Sequence, residues 1–218
     1  MLLGDSHAAQ FAPVFRRAAE MQGVRVRSIA LGGCAPLPGK LVGVVSDSRL
    51  TACEEGMPQV LARAQDFPLL IIGGAWATYS QNDPQVWDRL EAHLRDLVAR
   101  GHQVWLLPRV PAIQGYDAAC LAKRLRVGDW LKCPTTLPQT APNDNTNTRL
   151  TALARSIQGV KFLSLQPEPG PCSGANCEIT DAQGRFLYSD GSHLNILGVE
   201  KLTNELVLND QLPDMRAN

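Results

Sequence analysis

The sequence predicts an α/β fold built on a mostly parallel sheet with helices on both faces. Three observations carry this. Short apolar runs alternate with segments whose apolar residues recur at helical spacing, in the order β-α-β-α-β-α-β-α-β-α. Glycines punctuate the helical segments at Gly23, Gly101 and Gly159. The chain has 218 residues, 44% of them apolar and 19% charged, an ordinary globular balance with enough length for a real core.

Each element has its own warrant. Met1–Leu3 reads as the stub of a buried strand. Residues 8–22 place Phe11, Val14, Phe15 and Ala18 on one helix face, with Pro13 tolerated in the first turn and Gly23 as the stop. Val24–Leu31 alternates as a strand, and a Gly- and Pro-rich loop leads to a helix near 54–65. Leu69–Ile72 is a short apolar run, hence a buried strand. Asp83-Pro84 reads as a cap and a proline at the first helical position, followed by the face Trp87, Leu90, Leu94 and Leu97. Gln103–Leu107 is the next strand, and residues 111–144 read as irregular. Leu150, Leu153, Ala154 and Ile157 form a further helix face before the strand Val160–Leu165. Residues 166–189 read as an excursion with a turn at Gln183-Gly184, after which Asn195 caps a final helix carrying Val199, Leu202 and Leu206. No internal repeat or domain boundary is visible, so a single domain over residues 1–218 is expected.

Composition excludes several classes. Lys plus Arg and Asp plus Glu are 21 each, so bulk charge gives no argument for nucleic-acid binding. The longest apolar stretch, Leu69–Ala77, has nine residues and includes two glycines, against about 20 needed to cross a bilayer. The chain opens inside a strand and carries no signal peptide, so an excised part of a longer protein is expected. Four scattered histidines and no acidic cluster argue against a metal site, and nothing calls for a cofactor.

The six cysteines form no CxxC pair, and all lie in Pro/Gly/Asp-rich stretches. Neighbour pairing, Cys34–Cys53, Cys120–Cys133 and Cys172–Cys177, is one of 15 arrangements, and sequence alone does not select it. It would close loops of about 20, 14 and 6 residues, each stabilised by ~2–3 kcal/mol. Their loop positions favour disulfides and an oxidising compartment over free thiols in a cytosolic core.

Two motifs carry chemistry. Gly4-Asp5-Ser6-His7 falls between the first strand and the first helix. A serine there stands at the carboxyl edge of the sheet, with its N–H at a helix start where negative charge is stabilised. A bland N-cap, Asp5 or Ser6, explains the same residues. Asp190-Gly191-Ser192-His193 falls just before the last helix. A serine hydroxyl needs a base, a histidine is the usual one, and a carboxylate fixes its tautomer. The first and last β/α loops of such a sheet can converge.

Together with Gly33-Cys34-Ala35-Pro36-Leu37, Trp76 and Ser189 through Asn195, these motifs resemble the SGNH hydrolase superfamily. The resemblance is greatest to the periplasmic SGNH domains fused behind acyltransferase-3 membrane domains. It implies a flavodoxin-like three-layer α/β/α sandwich, the SGNH hydrolase fold. It implies O-acetylation of a bacterial surface glycan, such as lipopolysaccharide O-antigen, at the periplasmic face of the inner membrane. The implied partners are a transmembrane acyltransferase domain in the same chain and a glycan acceptor, with no nucleic acid. Ser6 would be the nucleophile, His193 the base and Asp190 the orienting acid. The N–H groups of Ser6 and Gly33 would form the oxyanion hole. The family's third block, Gly-x-Asn-Asp, is here Gly73-Gly74-Ala75-Trp76. Its Asn donor is missing, a loss worth about 10²–10³ in rate. The Trp76 indole or a local backbone N–H is a candidate replacement, ahead of Asn82.

His7 beside the serine and Arg109 after the fourth strand are candidate substrate contacts. His93 and His102 are expected to be solvated, and Trp87 and Trp105 to be core. The same triad would serve a carbohydrate esterase or deacetylase. A decayed site would leave a non-catalytic glycan-binding module.

Overall fold

In a computed structural model, which describes residues 1–128, 130–140, 145–165 and 172–216, the chain opens on β1 (Leu2–Gly4), buried throughout. A single turn, α1 (Ser6–Ala9), leads into α2 (Ala12–Gln22), which has Pro13 in its first turn. Gly23 ends α2 at φ 68°, a left-handed conformation that glycine adopts without strain. β2 (Ser28–Ala30) is shorter than expected, because only three residues pair with β1.

α3 (Asp47–Ala64) begins well before the expected residue 54. Its first residues, 47–49, are exposed and 50–52 at most partly buried, so that turn has no apolar stripe to read. β3 (Leu69–Gly73) follows, then α4 (Trp76–Asn82), too short for periodicity to reveal. α5 (Val86–Ala99) starts after Pro84, not at it. Asp83 instead ends α4, and its carboxylate accepts the Gln85 N–H at 3.0 Å in a tight turn between the helices.

β4 (Gln103–Leu106) precedes a stretch expected to be irregular, which holds α6 (Cys120–Val127) and β5 (Thr136–Pro138). Then come α7 (Thr146–Ser156) and β6 (Val160–Phe162). The excursion over 166–189 lies partly outside the described residues; from Cys172 it forms the pair β7 (Cys172–Ser173) and β8 (Asn176–Glu178). The last helix is α8 (Ile196–Leu208), capped by Asn195, whose side chain accepts the Gly198 N–H at 3.0 Å.

The chain divides into two units: Met1–Arg109 with Asp144–Leu165 and Pro213–Asn218, and Val110–Asn143 with Gln166–Leu212. The first holds a five-stranded, wholly parallel sheet in the order β2-β1-β3-β4-β6. β2 and β3 flank β1 on opposite sides, so the strand order reverses beside β1, where such sheets bind ligands. Register aligns Leu3, Ile72, Leu106 and Phe162. Their side of the sheet shares a core with Met57 and Val60 of α3, Leu90 and Leu94 of α5 and Leu150 of α7. Leu2, Ile71 and Trp105 alternate with them and are also buried, as in a parallel sheet covered on both faces. Each such side chain contributes about 1.5–3 kcal/mol.

Trp87 and Trp105 are buried as expected. His93 and His102 correct the reading, being only 6% and 8% exposed. The spacing Leu90, His93, Leu94, Leu97 puts His93 on the core face of α5, and His102 pairs its Nδ1 with the Phe67 carbonyl at 2.8 Å.

The second unit holds the antiparallel sheet β5-β8-β7 and a core of Ile113, Ile179, Phe186, Leu187 and Tyr188. The expected turn is present, with Gly184 at φ 75°. All three neighbour disulfides form, Cys34–Cys53 in the first unit and Cys120–Cys133 and Cys172–Cys177 in the second. No helix among the described residues is long and apolar enough to cross a membrane.

Candidate active site

The turn that carries Ser6 is built by close backbone approach. A Cβ on Gly4, at φ 150°, would stand 1.9 Å from the Gly73 carbonyl oxygen, so no other residue fits where β1 leaves the sheet beside β3. Asp5 follows and is fully buried. Its Oδ1 accepts the His7 N–H at 2.8 Å, which makes it the N-cap of α1, as the bland reading of this residue expects. Its Oδ2 does more, accepting the Ala75 N–H at 2.8 Å and the Tyr79 hydroxyl at 2.5 Å. Burial, and then the Asp5 carboxylate, push the Tyr79 phenol well above its ordinary range, so it stays a donor. Asp5 thus ties the exit of β1 to α4 beyond β3, at the point of strand-order reversal. Ser6 is the next residue, half-buried, at the start of α1.

Gly33 lies in the loop after β2, at φ 73°. The loop is held to β1 by the Leu31 N–H, which donates to the Gly4 carbonyl at 2.9 Å. It is held to α3 by the Cys34–Cys53 disulfide and by Arg49, whose guanidinium donates to the Gly32 carbonyl at 2.6 Å. Ser6, Gly33, Trp76 and Arg109 therefore follow the carboxyl ends of four parallel strands, β1, β2, β3 and β4. Trp76 turns its ring into the core, 1% exposed, edge-on to Tyr79 with ring centroids 6.0 Å apart. Its indole nitrogen is buried and has no hydrogen-bond partner among the described residues. Asn82 donates to the Val44 carbonyl at 3.0 Å. The Arg109 backbone is clamped by Asn147, whose side chain accepts its N–H at 2.7 Å and donates to its carbonyl at 3.1 Å. Tyr79 and Asn147 escape sequence reasoning, because a helical Tyr or Asn carries no signature of the distant backbone it holds.

In the second unit, residues 188–195 fold as a tight loop. Tyr188 bridges Leu194, and the Ser189 N–H donates to the His193 carbonyl at 2.9 Å. Inside it, Asp190 and His193 meet, with His193 Nδ1 2.9 Å from Oδ2 and 3.0 Å from Oδ1. The Ser192 and His193 N–H groups donate to Oδ1 at 2.7 and 2.9 Å. Partial burial opposes the Asp190 charge, but the Ser192 N–H, the His193 ring and the Ser192 hydroxyl outweigh it and hold the carboxyl below its usual range. A carboxylate on Nδ1 fixes the ring tautomer, with the proton on Nδ1 and the lone pair on Nε2.

The loop is braced from both ends. The Ile113 N–H donates to the Gly191 carbonyl at 2.6 Å. Asn195 donates to the Phe186 and Tyr188 carbonyls at 2.7 and 3.2 Å while capping α8. Gly198 must be glycine, since a Cβ there would lie 2.1 Å from the Leu187 carbonyl oxygen. Among the described residues, no three His, Cys, Asp or Glu side chains gather as metal ligands would.

A parallel sheet in this order, with Gly-Asp-Ser-His after its first strand and Asp-Gly-Ser-His before the final helix, defines an SGNH-type α/β domain. Residues 1–207 match the model of the SGNH domain fused to AT3 domains, and the chain belongs to that family. Among solved structures it is similar to the periplasmic domain of the lipopolysaccharide acetyltransferase of Salmonella ser. Paratyphi A. The two are 14% identical with a TM-score of 0.64, over 96% of this chain and 82% of that one. A Bacteroides fragilis protein described as an acylhydrolase is 16% identical with a TM-score of 0.48, over 97% of this chain and 86% of that one. No curated protein sequence matches significantly.

Proposed function

We propose that the chain is the extracytoplasmic part of a membrane acyltransferase and moves an acyl group, acetyl in the first instance, onto a hydroxyl of a bacterial surface polysaccharide such as lipopolysaccharide O-antigen. Ser6 Oγ attacks the acyl carbonyl while His193 Nε2 takes its proton, and Asp190 stabilises the imidazolium. The N–H groups of Ser6 and Gly33 hold the oxyanion. His193 returns the proton to the leaving group as the acyl-serine forms. A sugar hydroxyl then attacks the acyl-serine, passing its proton to His193, and Ser6 recovers it. The transmembrane AT3 domain of the same polypeptide would deliver the acyl group, which agrees with the fusion that names the family. Three disulfides suit the oxidising space outside the inner membrane.

The observation that carries this reading is the Asp190–His193 pair, at 2.9 Å on Nδ1, in a chain of the SGNH family whose Gly4-Asp5-Ser6-His7 motif offers the serine. Ser6→Ala in the full-length protein, with glycan acetylation as readout, tests it; unchanged acetylation removes Ser6 from the chemistry.

A second reading, a glycan-binding module without turnover, is favoured by the third block. There the Ala75 N–H is committed to Asp5 and the Trp76 indole to the core. Hydrolysis of p-nitrophenyl acetate by the chain, lost on His193→Ala, argues against it. The same result leaves open water as the acceptor, the carbohydrate-esterase direction, which acetylation in the full-length protein separates.

A further inference from the structure

The loop between Cys120 and Cys133 has a surface that the acyl-transfer reading does not use. Its ends are anchored, with Cys120, Leu121, Leu131 and Cys133 packed on the core of the second unit and the disulfide closing the ring. Between them, residues 122–128 are all exposed. Leu125 is 90% exposed, Trp130 75% and Val127 47%, three large apolar side chains within six positions. Lys123, Arg124, Arg126 and Lys132 lie among them, against Asp129 alone in this stretch of the sequence, in a chain whose overall charge is zero. Lys123 is held by Asp117 at 2.7 Å. Arg126 and Lys132 are exposed beside the apolar tips.

We propose that this disulfide-closed loop docks on an anionic phospholipid surface. Leu125, Val127 and Trp130 would enter the headgroup boundary while Arg126 and Lys132 meet lipid phosphates. Aliphatic tips, an indole and basic residues are the composition that binds such interfaces. A sugar would use the flat face of Trp130 but has no use for a leucine and a valine held in water. SGNH domains of this family are fused to AT3 domains, which makes a membrane a fitting occupant for this surface. The Cys120–Cys133 bond and the packed Leu121 and Leu131 fix the ends, so the ordering cost of docking is already met in the fold. Docking would hold the domain against the membrane that carries its AT3 partner, independently of the chemistry at Ser6.

The test mixes the 218-residue chain with vesicles of phosphatidylcholine, with and without phosphatidylglycerol. Trp76, Trp87 and Trp105 are buried, so a change in tryptophan emission on vesicle binding reports the environment of Trp130. Co-sedimentation with the anionic vesicles only, a blue shift of that emission, and weakening by salt are expected. The double variant Leu125→Glu/Trp130→Glu should lose binding at least about 10-fold with unchanged circular dichroism, its sites being exposed. Absence of binding to anionic vesicles, or equal binding by the variant, overturns the proposal. Retention on lipid-free polysaccharide without vesicle binding also overturns it, and would make the loop a glycan contact.

Discussion

The Tyr79 hydroxyl donates to Asp5 Oδ2 at 2.5 Å, joining the helix after β3 to the turn after β1 one residue before Ser6. With the His7 and Ala75 N–H groups, it is one of three donors around a fully buried carboxylate. Buried acceptors of this kind are costly to leave short of a donor, by about 1–3 kcal/mol. Tyr79→Phe removes the donor and almost no volume. The expected result is a stability loss of that size, measured by urea denaturation. Loosening the turn should also lower kcat on p-nitrophenyl acetate by about 10–10²-fold with KM within about a factor of two. A loss of stability without a fall in kcat would confine Tyr79 to the fold.

Asp190→Asn tests the role proposed for the Asp190–His193 pair. The Asp190 carboxylate selects the tautomer with a proton on Nδ1, and an amide at the same place can present its own N–H and select the other. Hydrolysis should fall by about 10³–10⁴-fold in kcat with the fold intact. His193→Ala combined with Asp190→Asn should cost little more than His193→Ala alone, because the two act as one unit. Additive losses would separate them.

What the sequence revealed follows from what each residue must do locally. Ser6, Asp190 and His193 stand out as a set: each motif alone has a structural explanation as a cap or a turn, but a serine, a histidine and a carboxylate at two strand-to-helix boundaries together match the residue types of a triad. The strand runs and the long faces of α2, α5 and α8 were legible through spacing. The start of α3 was not, since residues 47–49 are exposed and give no stripe. Tyr79 and Asn147 were invisible because their partners, Asp5 and the Arg109 backbone, are distant in sequence. Trp76 was readable as either core or pocket, and its burial depends on how α4 turns after Gly74. His93 was misread although the signal existed, being three residues after Leu90 and four before Leu97 on one face.

Cys34–Cys53 holds the loop that carries Gly33. Replacing both cysteines by serine opens a loop of about 20 residues and should cost ~3 kcal/mol. At about 2–4 °C per kcal/mol for a chain of this size, calorimetry should show a Tm lower by about 6–12 °C. Removing Cys172–Cys177, which closes about 6 residues, should cost ~2 kcal/mol. Ester hydrolysis should fall in the first variant and persist in the second if Gly33 is the proposed oxyanion donor, since only the first loop bears it. Equal activity of the two would count against the role of Gly33.

His93 should make the fold acid-sensitive. Both ring nitrogens are buried without a partner among the described residues, beside a cavity of about 290 Å³ lined in part by Leu37, Pro58, Leu61 and Leu97. Burial lowers the pKa from 6.5 to about 4, with Asp96 favouring the charge and Arg100 opposing it. The unfolded chain therefore binds the proton first, and stability declines as pH falls through the interval from 6.5 to about 4. At 1.36 kcal/mol per unit, the decline from this group reaches about 3 kcal/mol and levels off below the folded value. His93→Leu replaces the unpaired nitrogens with a side chain suited to the same face. Denaturation of the two proteins at neutral pH and near pH 4 should show the variant more stable at both, by about 1–3 kcal/mol at neutral pH. The gap should widen in acid. A gap independent of pH would assign the acid sensitivity to the carboxylates instead.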